Sequence, residues 1–117
     1  MPTLLLGLFN RTHDTINIGA PTHQVGNTVF PIAPDPLPGP AGAAGMYDSG
    51  AGADLELTFA CTVAGHPGVT LMIDIWIQGG NFQKLIVQSS DPANFPIQGH
   101  YVLDTPPDNF GCVISVG

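Results

Sequence analysis

The 117 residues predict an all-β protein, an antiparallel β-sandwich of about seven to nine short strands. Apolar and polar residues alternate through Asp54–Val63 and again through Val69–Ile77, the rhythm in which strand side chains point to opposite faces. The chain also holds 15 Gly and 12 Pro, residues that cost about 1 and 3 kcal/mol in a helix interior. No segment has a convincing helical period.

In chain order, Thr3–Phe9 is the first candidate strand, and Thr12-His13-Asp14-Thr15 connects it to a short second one at Thr15–Ile18. From Phe30 to Gly52 the sequence changes character. Pro31, Pro34, Pro36, Pro38 and Pro40 lack backbone donors, and Gly39, Gly42 and Gly45 recur every third residue. Too few triplets are present for a collagen-like helix, so a long surface Pro/Gly-rich loop is expected over about residues 30–52. Leu55, Leu57, Phe59, Cys61 and Val63 then face inward, opposed by Asp54, Glu56, Thr58 and Thr62. Ala64-Gly65-His66-Pro67-Gly68 reads as the turn of a hairpin. Its second strand turns Val69, Leu71, Ile73, Ile75 and Ile77 inward and Met72, Asp74 and Trp76 outward. Lys84–Ser89, Tyr101–Asp104 and Cys112–Val116 complete the expected strands, within a single domain spanning residues 1–117.

Composition excludes whole classes of function. Hydrophobic residues make up 44% of the chain and charged ones 9%, against roughly 25% charged in an ordinary soluble protein, so disorder is not expected. Arg11 and Lys84 are the only basic residues beside nine carboxylates, giving a net charge of −7. A nucleic-acid partner is therefore excluded, as is a polybasic membrane patch. Any membrane contact must be apolar, aromatic or specific for a headgroup. Leu4–Phe9 is too short, and lacks the basic flank, for a signal peptide; nothing approaches the ~20 apolar residues of a membrane-spanning helix. His13, His23, His66 and His100 outnumber the other basic residues, which leaves open a pH response of solubility or self-association.

No catalytic constellation assembles, and a non-enzymatic protein is expected. Asp48-Ser49-Gly50 resembles the active-site turn of an aspartic protease, in which two carboxylates from two subunits share a proton. It lies in a Gly-rich stretch without the later apolar-apolar-Gly-Arg segment such enzymes carry, and a plain turn is the simpler reading. His13-Asp14 has no nucleophile elbow to serve. The histidines and carboxylates lack metal-ligand spacing, no phosphate cradle precedes a helix, and neither metal nor cofactor is expected. Cys61 and Cys112 both fall on inward positions, as buried thiols or as one disulfide. Asn10-Arg11-Thr12 has the form of a glycosylation sequon. Trp76, Phe82, Tyr101 and Tyr47 are the aromatics expected to be partly exposed, and hence the candidate ligand-binding residues, for a glycan or a membrane interface.

The order of features resembles the aegerolysins and their bacterial crystal-protein relatives, which have an actinoporin-like β-sandwich. Leu4–Phe9 followed by Asn10-Arg11-Thr12 is similar to their opening strand and Asn-x-Thr turn, with Thr15-Ile16-Asn17-Ile18 as the short strand after it. Phe30-Pro31-Ile32-Ala33-Pro34 through Pro38-Gly39 resembles their proline-rich approach to a Pro-Gly step. Asp48-Ser49-Gly50 leading to Leu55–Phe59, and Ile73–Ile77 with Gly79-Gly80-Asn81, continue the match. The chain has one Trp where aegerolysins usually carry several. The resemblance implies a non-enzymatic, cytolysin-like toxin component that binds membrane lipid and acts with a larger pore-forming partner. The residues alone leave open a lectin-like carbohydrate-binding module, a homodimeric aspartic protease using Asp48, and a self-assembling structural protein or homo-oligomer.

Overall fold

The computed structural model describes residues 1–117 as ten strands and no helix. They are β1 (Thr3–Asn10), β2 (Ile16–Ile18), β3 (His23–Val25), β4 (Asn27–Ala33), β5 (Ala41–Asp48), β6 (Leu55–Val63), β7 (His66–Gln78), β8 (Asn81–Ser89), β9 (Ile97–Thr105) and β10 (Asn109–Val116). The first sheet has the order β4-β5-β1-β10-β9, and the second β2-β6-β7-β8, with β3 also paired to β6. The two face each other as a sandwich. No helix of the chain is long and apolar enough to cross a membrane.

The alternation that predicts strands also builds the core. Leu55, Leu57, Phe59, Cys61 and Val63 from β6 and Val69, Leu71, Ile73, Ile75 and Ile77 from β7 are buried against Leu4, Leu6 and Leu8 of β1 and Phe110, Cys112, Ile114 and Val116 of β10. Full burial of a side chain of this kind contributes about 1.5–3 kcal/mol. Cys61 and Cys112 are both free thiols, and burial pushes each up to about 12.

Three differences from the expected fold have physical causes. The pairing is antiparallel except that β1 and β10 run parallel, Thr3 opposite Asn109 through Asn10 opposite Val116. A parallel pair needs a long crossover, and here the whole intervening chain supplies it. The expected loop at 30–52 instead contains most of β4 and all of β5, which is hydrogen-bonded on both sides. Pro31 is accommodated because β4 is an edge strand. Gly45 is needed because a Cβ there would come 2.8 Å from the Ile32 nitrogen. The crossing from Pro34 to Pro40 is irregular, as is the turn that follows Asp48. The crossing's buried Leu37 exchanges backbone hydrogen bonds of 2.8 and 2.9 Å with Ile16 and so closes one end of the sandwich. Finally, the β6–β7 turn is shorter than expected: Gly65 at φ 79° follows Ala64, and His66 already belongs to β7. At the other end of β7, Gly79 and Gly80 take φ 59° and 73°, the positive pair a two-residue hairpin turn requires.

Candidate interaction surface

The outer faces of the two sheets differ in chemistry, although the second also exposes the apolar side chains of Met72 and Ile86. On the second sheet, every long polar side chain near Trp76 has a partner. Lys84 Nζ lies 2.9 Å from Asp74 Oδ2 and 3.9 Å from the centre of the Trp76 ring. Thr58 donates to Asp74 at 2.8 Å. His23 Nε2 sits 2.8 Å from Glu56 Oε1, Gln78 donates to Glu56 Oε2 at 3.0 Å, and the His23 ring lies 5.8 Å from that of Trp76. The hydrogen bonds from His23 and Gln78 hold the Glu56 carboxyl below the usual carboxylate range. For Asp74, burial pushes the pKa up, but hydrogen bonds from Lys84 and Thr58 outweigh it, and the result is again lowered. Trp76 is half-buried, and its indole nitrogen is shut off from solvent without a hydrogen-bond partner.

The first sheet presents no such network. In register, Phe30 of β4 stands beside Met46 of β5, Met46 beside Leu5 of β1, Leu5 beside Gly111 of β10, and Gly111 beside Leu103 of β9. This row crosses all five strands. Gly111 keeps it shallow, and a Cβ there would meet Leu103 at 3.3 Å and Val102 at 3.4 Å. Two positions along β1, Gly7 aligns with Ala44 and Val113; two further on, the Phe9 ring lies over Gly42. Leu5, Phe9, Phe30, Val102 and Leu103 are 43–61% exposed. Across these rows the only ionisable side chain is His100, opposite Val113. Asp48 marks one margin, opposite Thr3. Ordinary monomeric surfaces seldom collect exposed apolar side chains in this way.

The four aromatics singled out from the sequence do not converge. Trp76 belongs to the polar network on the second sheet. Phe82 and Tyr101 meet at the edge where β8 faces β9, with ring centres 4.4 Å apart, and Phe82 also packs on Phe110 at 5.0 Å. Tyr101 is 51% exposed and borders the apolar surface through its neighbours Val102 and Leu103. Tyr47, expected to be partly exposed, is 5% exposed, because β5 turns it inward toward Phe59. Burial raises its phenol above the usual range, partly offset by a hydrogen bond from the Ile32 backbone. Tyr47 forms part of an apolar slot of about 360 Å³ lined also by Ile18, Ala20, Pro21, Pro31, Ile32 and Phe59, with Asp35 among its lining residues.

Other sequence candidates resolve into structure. Asp48 Oδ1 accepts hydrogen bonds from the Gly50 N–H at 2.9 Å and from Asn27 at 3.2 Å, which makes Asp48-Ser49-Gly50 a side-chain-closed turn at the end of β5. Asp14 Oδ2 lies 3.5 Å from His66 Nε2, whose ring meets Phe95 edge-on. With Thr12, His13, Asp91 and Asn94 they line a polar cleft at one end of the sandwich. No group of three or more His, Cys, Asp and Glu comes together in a way that could hold a metal ion. Sequence reasoning passed over Leu5, Phe9, Phe30, Val102 and Leu103. The available signal was the failure of alternation in Leu4–Phe9 and Tyr101–Leu103, where apolar residues occupy both faces of a strand.

No family model and no curated protein matches the chain by sequence. Solved structures do match in fold. IP-1A from Alcaligenes faecalis is similar over 98% of this chain and 89% of its own, with TM-score 0.64 and 11% identity. RahU, whose structure is a complex with a Tris molecule, is similar over 99% of this chain and 94% of its own, with TM-score 0.66 and 14% identity. Both are aegerolysin-family proteins, so the resemblance read from the sequence is met in three dimensions. At these identities the likeness is one of fold.

Proposed function

We propose that this chain, sharing its fold with RahU and IP-1A, is a non-enzymatic protein that binds membrane lipid. It docks by laying the uncharged outer face of the first sheet on the bilayer interface. The observation that carries the reading is the apolar row from Phe30 through Met46 and Leu5 to Leu103, flanked by Phe9 and Val102. With two basic residues and a net charge of −7, the chain gains nothing from anionic headgroups, so docking relies on apolar contact. Tyr101, at the rim of this face and propped by Phe82, supplies an aromatic with a polar tip at the depth where such side chains favour the interface. On the family resemblance, lipid binding is the recruiting half of a cytolysin whose larger pore-forming partner acts at the membrane. A glycan reading is less well supported, since Lys84 and His23 pack on the ring of Trp76 that would have to stack on a sugar.

Sedimentation with zwitterionic vesicles of varied lipid composition tests this. Binding should be insensitive to salt. Leu5→Ser combined with Leu103→Ser should weaken it by about 2–3 kcal/mol, roughly 30- to 150-fold, while Ile86→Ser on the other sheet should change it little. Equal sedimentation of the double variant, or no sedimentation of the parent with any lipid, would refute the proposal. A parent that is dimeric only while Leu5 and Leu103 are intact, and that ignores vesicles, would assign the face to a second copy instead.

A further inference from the structure

The two long edges of the sandwich are finished differently. Where β8 meets β9, Phe82 packs between Tyr101 and Phe110 and seals the core. On the opposite side, β4 of the first sheet faces the β2 and β3 edge of the second, and between them lies the apolar slot. Pro31 and Ile32 form one wall and Ile18, Ala20 and Pro21 the other. The buried rings of Phe59 and Tyr47 form its inner end. The walls cannot simply collapse: a Cβ on Gly19 would lie 2.4 Å from the Ala60 carbonyl oxygen, so that wall already touches β6.

We propose that this slot is a ligand site for one alkyl chain bearing an uncharged hydroxyl head. The volume, about 360 Å³, falls at the lower end of the roughly 300–1,000 Å³ of small-molecule sites, room for one chain and not two. Water against these walls has few hydrogen-bond partners, and an alkyl chain displaces it favourably. Selection of the head comes from charge. Asp35 is exposed, and its Oδ1 accepts the Ile18 N–H at 2.9 Å, which ties the Pro34–Pro40 crossing to β2 and leaves Oδ2 to accept from a ligand. No Lys, Arg or His lines the slot, so a carboxylate or phosphate head would meet the Asp35 charge uncompensated, whereas a hydroxyl can donate to it.

The site is separate from the outer face of the first sheet, and the test uses soluble alkyl probes without vesicles, so its failure would leave the membrane proposal standing. Protein with labelled isoleucine methyls is titrated with 1-decanol and, separately, with decanoate. Decanol should shift the Ile18 and Ile32 methyl signals saturably, and decanoate at the same concentrations should not. Ala20→Phe, at an exposed lining position, should weaken decanol binding at least tenfold with an unchanged circular dichroism spectrum. Asp35→Asn keeps the acceptor for Ile18 and should bring decanoate to within a few fold of decanol. Absence of a saturable shift with either probe would overturn the site, as would Ala20→Phe binding decanol like the parent. Equal binding of both probes to the parent, or continued exclusion of decanoate by Asp35→Asn, would overturn selection by charge.

Discussion

The side-chain amide of Asn10 donates a 3.0 Å hydrogen bond to the backbone carbonyl of Leu37, joining the end of β1 to the proline-rich crossing 27 residues away. The same amide donates to the Asp14 carbonyl at 2.7 Å, and its oxygen accepts from the Thr12 N–H at 3.0 Å and hydroxyl at 2.7 Å. Asn10 is 1% exposed, so the sequon form of Asn10-Arg11-Thr12 describes a buried structural joint with no room for a glycan.

Replacing Asn10 by Ala removes its amide from the Leu37 and Asp14 carbonyls, which keep the Ile16 N–H and the Thr12 hydroxyl, and leaves the Thr12 N–H without an acceptor in a buried joint. A loss of about 2–4 kcal/mol is expected, visible as a lowered midpoint in urea with an unchanged slope. A loss below about 0.5 kcal/mol would mean that water replaces the amide.

The Glu56 and Asp74 carboxyls are both held below their ordinary range. Their stabilisation is present above the unfolded carboxylate pKa near 4 and is lost as pH falls through the lower folded values. Denaturation midpoints should therefore drop on acidification below about pH 4, with Trp76 fluorescence reporting the loosening of its neighbours. Glu56→Gln removes part of that slope. An unaltered pH profile in this variant would assign the acid response elsewhere.

Burial pushes Cys61 and Cys112 up to about 12, so neither is a thiolate at neutral pH. A thiol reagent should label the native protein only at the rate of unfolding and both cysteines at once in denaturant. A raised thiol pKa also contributes stability that is complete below about pH 8.5 and fades as pH climbs toward the folded value. Fast labelling of one cysteine in the native state would contradict the packing described.

Gly45→Ala places a methyl 2.8 Å from the Ile32 nitrogen and 2.9 Å from its Cγ1, forcing β4 away from β5. A loss of about 1–3 kcal/mol is expected. Gly68→Ala, where a Cβ meets nothing within 4 Å, should stay within about 0.5 kcal/mol of the parent. Equal behaviour of the two in thermal melts would remove the steric account of β5.

Most of the strands were legible because their periodicity is strong. β6 and β7 alternate cleanly, and their burial follows the letters except at Glu56, which His23 and Gln78 cover. β3, β4 and β5 were not legible, each for its own reason. Every residue of β3 is exposed, β4 is an edge strand with one buried residue, and β5 consists largely of Gly and Ala, chosen for close approach and carrying no hydrophobic signal. Of the candidate surface, only its border at Tyr101 was named in advance.

Local order alone decides that a strand has two faces, because successive Cβ atoms must point opposite ways. It decides equally that so acidic a chain cannot neutralise phosphates, since charge is a property of composition. Which face is covered is another matter. Leu4 and Leu5 are the same residue type one position apart, yet Leu4 is fully buried and Leu5 is half exposed. Only the arrival of β6 and β7 beneath β1, and of nothing above it, separates them. The apolar row likewise joins Leu5 to Leu103 through Gly111, residues brought side by side by the parallel pairing of the first and last strands. Contacts of that separation depend on how the sheets close, and no local pattern encodes them.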